Sequence, residues 1–194
     1  MKLQFVAVAL ASVLATGCAQ RGLAVYVAPQ TITAQTVTQT VPKHGPLDVR
    51  LTVESIYNGE RIDDSKTPVP FAPYAKKAID ALKAFQVVDR ADAPELKLTL
   101  SSTIDLAKAK EQGLKSAVTV GFADASFRRD FSLKAELNGV GSQALSASNS
   151  EHYMVSTRRE HAPAGSTPLG AREGYEALYD ALIYPTIDRL IRQM

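Results

Sequence analysis

Apolar and polar residues alternate along several segments of the chain, and this period-two pattern predicts β-strands with one buried face. The alternating segments are residues 47–54, 96–106, 118–122, 131–137 and 143–155, with a short strand at 87–88. Ser102 is the one polar residue at an inward position of the second segment. Asn58-Gly59 and Asn138-Gly139 predict tight turns between neighbouring strands.

Two further segments repeat their apolar residues at helical spacing, which predicts helices with one buried face. We expect Pro73 at the first position of one helix, and Thr167-Pro168 to cap a C-terminal one that Pro185 kinks or restarts. The first helix buries Ala75, Ala78, Ile79, Leu82 and Phe85. The second buries Tyr175, Leu178, Tyr179, Leu182, Ile187, Leu190 and Ile191.

Read in order, these elements predict an α+β domain. A mostly antiparallel sheet of four to six strands is covered on one face by two helices, of which the second is C-terminal. The terminal stripe that contains Leu182 and Leu190 should cover the inward faces of the strands at 96–106 and 131–137. The tyrosines of this helix, Tyr175, Tyr179 and Tyr184, are expected to pack against the sheet, with a partner-binding stripe as the alternative.

The N-terminus carries a targeting signal. Lys2 is followed by an unbroken apolar and small run at residues 5–15, about eleven residues where a membrane-spanning helix needs roughly twenty. This pattern is typical of a secretory signal peptide, so residues 1–17 are predicted to be cleaved. The next residues, Leu14-Ala15-Thr16-Gly17-Cys18, resemble a bacterial lipobox, which implies diacylation of Cys18, for example with palmitate.

One position departs from the lipobox, because Ala15 stands where the family usually has leucine. Ordinary cleavage near Ala19 is therefore an alternative. Cys18 is the only cysteine, which excludes an intramolecular disulfide. Ala19 stands where the family's inner-membrane retention signal is aspartate. The resemblance thus implies a lipoprotein on the periplasmic face of the outer membrane, held by acyl chains on Cys18.

The chain is predicted to divide into a signal peptide (1–17), a lipidated cysteine and tether (18–45) and one α+β domain (46–194). Residues 30–41 are rich in Thr and Gln and carry no charge. This composition favours a tether, and its β-branched residues leave a strand as the alternative.

Residues 47–193 resemble the TolB N-terminal-like lipoproteins of envelope assembly, which include activators of peptidoglycan synthases and relatives of the curli secretion lipoprotein. The resemblance rests on Phe85-Gln86-Val87-Val88-Asp89-Arg90, on the long strand from Leu96, and on residues 137–153. It implies an envelope protein as partner.

Charge and motifs exclude several other classes. The 22 Lys and Arg residues nearly balance the 20 Asp and Glu residues, which argues against a nucleic-acid partner. No nucleophile elbow, phosphate loop or dinucleotide motif is present, since Gly139-Val140-Gly141 is a turn. His44, His152 and His161 lack metal-ligand spacing, so we predict no catalytic residue, cofactor or metal.

Three charged patterns are interpreted as solvated surface: Asp63-Asp64 in a turn, and the pairs Arg128-Arg129 and Arg158-Arg159 in exposed loops. Arginine also suits phosphate and carboxylate, so either pair is a candidate contact to anionic lipid or cell-wall polymer. The sequence favours a non-enzymatic, membrane-anchored binding module that assists an envelope assembly or transport complex. A periplasmic enzyme with an unrecognised site, or a structural lipoprotein that binds lipid or glycan, are the alternatives.

Overall fold

The computed structural model describes residues 24–27, 45–67, 69–104, 127–156, 165 and 167–194. Within them the chain forms two α-helices, eight β-strands and one 3₁₀ turn at Asp64–Lys66. The strands are β1 (Ala24–Val27), β2 (Leu47–Tyr57), β3 (Glu60–Ile62), β4 (Phe85–Val87), β5 (Glu95–Ile104), β6 (Phe127–Asn138), β7 (Leu145–Ser156) and β8 (Thr167–Leu169). The helices are α1 (Phe71–Leu82) and α2 (Ala171–Ile191).

The strands form one mixed sheet in the order β3-β2-β5-β6-β7-β1-β8, and β4 extends it beside β2. Four long strands, β2, β5, β6 and β7, make the body of the sheet. Strands β5, β6 and β7 are antiparallel neighbours, whereas β2 runs parallel to β5 because α1 carries the chain between them. The expected α+β class, with two helices and the second of them C-terminal, is confirmed.

One face of the sheet forms the core, as the alternation predicts. Leu96, Leu98 and Leu100 of β5 are buried, and so are Leu133 and Leu137 of β6. The helices cover this face, α1 over β2 and α2 over β6 and β7. All four apolar residues of the terminal stripe are buried: Leu182, Ile187, Leu190 and Ile191. The stripe therefore covers β6 as predicted, and its other neighbour is β7 in place of β5.

The turn between β2 and β3 follows the sequence prediction. Asn58 and Gly59 have φ values of +48° and +87°, and Tyr57 pairs with Glu60 across them. Two consecutive left-handed residues are what a two-residue hairpin turn requires, and Asn-Gly is the pair that adopts them at least cost. The Asn58 side chain also accepts a hydrogen bond from the Ile104 backbone N–H at 3.0 Å, which fixes the turn to β5.

Helix α1 begins two residues earlier than predicted, because its cap comes from a distant residue. Asp64 accepts hydrogen bonds from the backbone N–H groups of Phe71 (3.0 Å) and Ala72 (2.7 Å). A helix N-terminus exposes such unpaired donors, and a carboxylate satisfies two of them here. Pro73 consequently lies in the third helical position, where its missing N–H is not needed. The expectation that Asp64 is merely solvated is wrong.

Helix α2 also begins and continues differently from the prediction. Thr167 and Pro168 belong to β8, and the helix begins after Gly170, whose N–H donates to the Glu173 carboxylate at 3.2 Å. Pro185 lies inside the continuous helix and neither ends nor restarts it. Proline removes the N–H that would bond to the Ala181 carbonyl four residues earlier.

Asn149 of β7 supplies the missing donor, with its side-chain amide 2.9 Å from the Ala181 carbonyl oxygen. Two more α2 side chains reach β7 from the far end of the helix. Arg189 donates to the Ser148 carbonyl (2.5 Å) and Gln193 to the Ser146 carbonyl (3.2 Å). Polar contacts between helix and strand thus supplement the apolar core.

Strand β1 lies inside the segment 18–45 that the sequence predicts as a tether, and it pairs with β7 and β8. Part of that segment therefore belongs to the sheet. Cys18, the predicted signal peptide, residues 30–41 and the strand predicted at 118–122 lie outside the described residues. In the described part of the chain, no helix is long and apolar enough to cross a membrane.

Candidate functional site

The long strands bring a cation into the interior between two aromatic rings. Tyr57, Ser102 and Phe131 lie side by side on β2, β5 and β6. Ser102 is small, so a gap remains between the two rings, and the guanidinium of Arg129 fills it. Its central carbon lies 4.8 Å from the centre of each ring. Cation–π contacts of this kind strengthen as the cation loses water.

Arg129 donates to two hydroxyl groups and forms no ion pair with any described residue. Its terminal nitrogens lie 2.9 Å from the Ser102 oxygen and 3.2 Å from the Tyr175 oxygen. The Nε atom is buried and has no hydrogen-bond partner among the described residues. The prediction that Arg129 lies in an exposed loop is therefore wrong: it lies half-buried in β6. The side chains of Arg128, Arg158 and Arg159 lie outside the described part.

A cavity of about 80 Å³ adjoins Arg129 at this end of the sheet. Its lining is mostly hydroxyl groups and aromatic rings, with one carboxylate, Asp64. That carboxylate is already engaged by the two helix N–H groups and by the Ser55 hydroxyl at 3.1 Å. The lining residues central to the site are Ser55, Asp64, Ser102, Arg129, Tyr175 and Tyr179.

A second charged cluster lies between the two helices. The Tyr74 hydroxyl of α1 donates to the Asp180 carboxylate of α2 at 2.5 Å, and the Tyr184 hydroxyl interacts with the same carboxylate. Burial raises the pKa of Asp180, which the hydrogen bonds from the two tyrosines partly oppose. Burial and the nearby carboxylate also raise the pKa of Tyr184 to about 12 and raise that of Tyr74 further. Asp180 forms no ion pair with a described residue.

A chain of aromatic contacts joins the two clusters. Phe131 meets Tyr175 edge to face with ring centres 6.4 Å apart, Tyr175 lies 6.0 Å from Tyr179, and Tyr179 lies 5.4 Å from Tyr74. Tyr179 also donates to the Val69 carbonyl at 2.8 Å. The tyrosines of α2 therefore pack inward and solvate charge, as well as covering the sheet as expected.

The N-terminal ends of α1 and α2 enclose a surface groove of about 420 Å³. We call it the helix groove. Its wall is apolar and aromatic, and charged side chains form its rim; the lining residues are Val69, Pro70, Pro73, Tyr74, Lys77, Arg172 and Glu176. Arg172 pairs with Glu176 at 3.0 Å, whereas Lys77 forms no ion pair with a described residue. The volume lies in the range typical of ligand pockets.

The residues singled out from sequence are not brought together by the structure. His44 and His161 lie outside the described part, and His152 is described only as a strand residue opposite Asp130. Among the described residues, no group of three His, Cys, Asp or Glu side chains is arranged to hold a metal.

Sequence reasoning named Arg129 and Asp64 but placed both at the solvated surface, and it missed the Tyr74–Asp180 contact. Its one usable signal was Ser102, a polar residue at an inward position. No protein-family model matches the chain, and no curated protein matches its sequence.

Proposed function

We propose that the protein is a lipid-anchored envelope protein whose α+β domain is a non-enzymatic binding module for an assembly or transport complex. The observation that carries this proposal is the placement of Cys18. It ends a lipobox-like sequence behind an apolar run too short to span a bilayer, and it precedes the sheet closely. The resemblance to TolB N-terminal-like lipoproteins supports the assembly or transport role.

The short distance along the chain sets the geometry of anchoring. Strand β1 begins at Ala24, six residues after Cys18. An extended chain covers roughly 3.5 Å per residue, so the first strand starts at most about 20 Å from the lipidated cysteine. The domain is thus held near the membrane surface, which suits a protein that acts on membrane-associated partners.

The helix groove is the surface that we propose for binding. Val69, Pro70 and Tyr74 offer an apolar wall that loses little side-chain entropy on binding, and Lys77 places an unpaired positive charge at the rim. A protein partner that presents an apolar residue next to a carboxylate would complement both features. No catalytic group needs to be invoked for this role.

The anchor is tested by Cys18→Ser, with Ala19→Ser as the matched control. We expect Cys18→Ser to abolish incorporation of labelled palmitate and to release the protein from membranes, because the thiol is the acylation site. The control should keep both properties. A Cys18→Ser protein that still floats with lipid would contradict the anchoring proposal.

The groove is tested by a photo-reactive side chain at Lys77, with Lys134 as the matched control on the uncovered face of the sheet. We expect a single defined adduct in intact cells from position 77 and none from position 134. A cross-linker at Pro73 should capture the same partner, and Lys77→Glu should weaken the adduct that forms from position 73. Adducts from position 134 alone would move the binding surface to the sheet.

A further inference from the structure

We propose that the cavity beside Arg129 is a binding site for one small carboxylate. This inference concerns a site separate from the helix groove and does not depend on lipidation. It starts from an imbalance: Arg129 is a half-buried cation that faces a cavity and forms no ion pair in the described part of the chain. Buried charges are ordinarily paired, so this one is set to receive an anion.

The hydrogen-bonding groups of the cavity show which donors remain. Ser55 donates to Asp64, Thr67 to the Asp64 carbonyl, and Tyr179 to the Val69 carbonyl. These three lining hydroxyl groups have therefore used their protons. In contrast, the Ser102 hydroxyl accepts from Arg129, which leaves its own proton for a ligand. Of the five N–H groups of the Arg129 guanidinium, two donate to the Ser102 and Tyr175 hydroxyls, and the other three have no acceptor among the described residues.

The Ser102 hydroxyl and the Arg129 guanidinium therefore both have protons to donate, and the guanidinium is charged. The Nε atom itself has almost no accessible surface, so an acceptor with two oxygens would take a free terminal N–H of Arg129 together with the Ser102 proton. The cavity therefore fits an oxyanion in chemistry. The rings of Tyr57 and Phe131 hold the guanidinium in place, so it loses little freedom when the anion arrives.

The volume of the cavity and the charges that line it indicate which class of anion it can bind. A volume of about 80 Å³ matches the share of two or three waters, at roughly 30 Å³ each, which is enough for one carboxylate and a methyl group. The Asp64 carboxylate also lines the cavity, and its charge disfavours a dianion next to the single positive charge of Arg129. A monocarboxylate is thus favoured over a doubly charged phosphate.

The test follows the Nε–H signal of Arg129 by NMR in the otherwise full-length Cys18→Ser protein. Acetate, N-acetylalanine, N-acetylalanine amide and inorganic phosphate are added separately at constant ionic strength. We expect acetate to shift the signal in a saturable way, with phosphate at least about tenfold weaker because of its second charge. The amide should have no effect. If N-acetylalanine shifts the signal as acetate does, the ligand is the carboxylate of a peptide chain terminus. If acetate alone shifts it, the ligand is a free small acid.

Three variants complete the test. Arg129→Lys keeps the charge but loses the paired N–H groups, so acetate affinity measured by calorimetry should fall about tenfold or more. Ser102→Ala should weaken it about threefold to tenfold, in line with one lost hydrogen bond. Arg50→Lys, an exposed arginine on the other face of the sheet, should change nothing.

Several results would overturn the proposal. One is an Nε–H signal that does not respond to acetate, which would indicate bound water only. Another is phosphate binding as tightly as acetate, and a third is equal weakening by Arg50→Lys. If Arg129→Lys fails to fold, the titration of the parent protein and of Ser102→Ala still decides the question.

Discussion

The two charged clusters under the helices are opposites in charge and alike in construction. Arg129 is a half-buried cation without an acidic partner, and Asp180 is a half-buried carboxylate without a basic one, within the described residues. Each is solvated by tyrosine hydroxyls, Tyr175 for the cation and Tyr74 for the carboxylate. Phenol groups in this core thus replace water for either sign of charge, because a hydroxyl both donates and accepts.

The two clusters differ in the hydrogen-bonding groups that remain without a partner once the hydroxyls have bound. The tyrosines donate to Asp180, and their hydrogen bonds oppose the effect of burial on its pKa. At Arg129 the two hydroxyls accept, and the other guanidinium N–H groups, the buried Nε–H among them, have no acceptor in the described part of the chain. The carboxylate cluster is therefore a closed structural contact between α1 and α2, whereas the cation cluster is open to a ligand.

The largest effect is expected from removing both clusters at once. Deletion of residues 175–194 removes Tyr175, Asp180 and the buried stripe of α2. Burial of one leucine contributes roughly 1.5–3 kcal/mol, and a domain is stable by only about 5–15 kcal/mol. We therefore expect the truncated protein to lose its cooperative thermal transition. Deletion of Met194 alone, whose side chain is exposed, is the control and should leave the transition in place. A cooperative melt after the long deletion would show that α2 is an appendage.

A smaller effect is expected at the cation cluster alone. Arg129→Ala removes the filling between the rings of Tyr57 and Phe131 and leaves Ser102 without its donor. We expect a loss of about 2–4 kcal/mol in the free energy of urea unfolding, since both packing and cation–π contacts disappear. Arg129→Met, which keeps the unbranched stem, should lose roughly half as much. Equal stability of Arg129→Ala and the parent would show that the guanidinium contributes nothing to the core.

The carboxylate cluster should be less sensitive, because the variant that tests it loses one hydroxyl group and keeps its aromatic ring. Tyr74→Phe removes a 2.5 Å hydrogen bond to Asp180, and we expect a loss of about 1–2 kcal/mol in urea unfolding at neutral pH. Tyr184→Phe is the matched variant on the other side of the carboxylate. Tyr184→Phe should lose less free energy of unfolding than Tyr74→Phe. A larger loss would show that Tyr184, and not Tyr74, makes the stronger hydrogen bond to Asp180.

The smallest effect is a pH dependence at the same cluster. Burial raises the pKa of Asp180 above its ordinary value of 3.8, so the folded protein keeps this proton at pH values where the unfolded chain has lost it. The contribution of Asp180 to stability is fully present below pH 3.8 and is lost as the pH rises through the folded value. Asp180→Asn should therefore gain stability relative to the parent as the pH rises from 3.5 to 7. Parallel curves of unfolding free energy against pH would contradict the raised pKa.

The spacing of apolar and turn residues predicted those features of the fold that depend on a single strand, helix or turn. The alternating residues from Leu96 to Leu100 form a buried strand face, the helical stripe through Leu182 and Leu190 lies in the core, and Asn58-Gly59 forms a hairpin turn. Each of these outcomes follows from local geometry, because side chains repeat every second residue in a strand and every third or fourth in a helix.

The remaining features depend on contacts between distant residues, which periodicity does not report. Asp64 caps a helix seven residues away, Arg129 reaches Ser102 on the neighbouring strand, and Tyr74 meets Asp180 from another helix. The parallel pairing of β2 with β5 likewise depends on where α1 packs. An arginine or aspartate at such a position looks like surface until its neighbours are known. Cys18 and its lipid remain predictions of the sequence.

The contacts from the end of α2 to β7 bear on self-association. Strand β1 pairs with β7 only at residues 153–156, so residues 145–152 have no described strand on that side. The carbonyls of alternate residues point to the same side of a strand, and the side facing β6 is filled by its ladder. Arg189 and Gln193 donate to the carbonyls of Ser148 and Ser146 within this stretch. Exposed strand edges promote aggregation unless they are blocked. On the lipid-anchored protein that we propose, these two polar side chains at the end of α2 would help to keep neighbouring copies from joining their sheets.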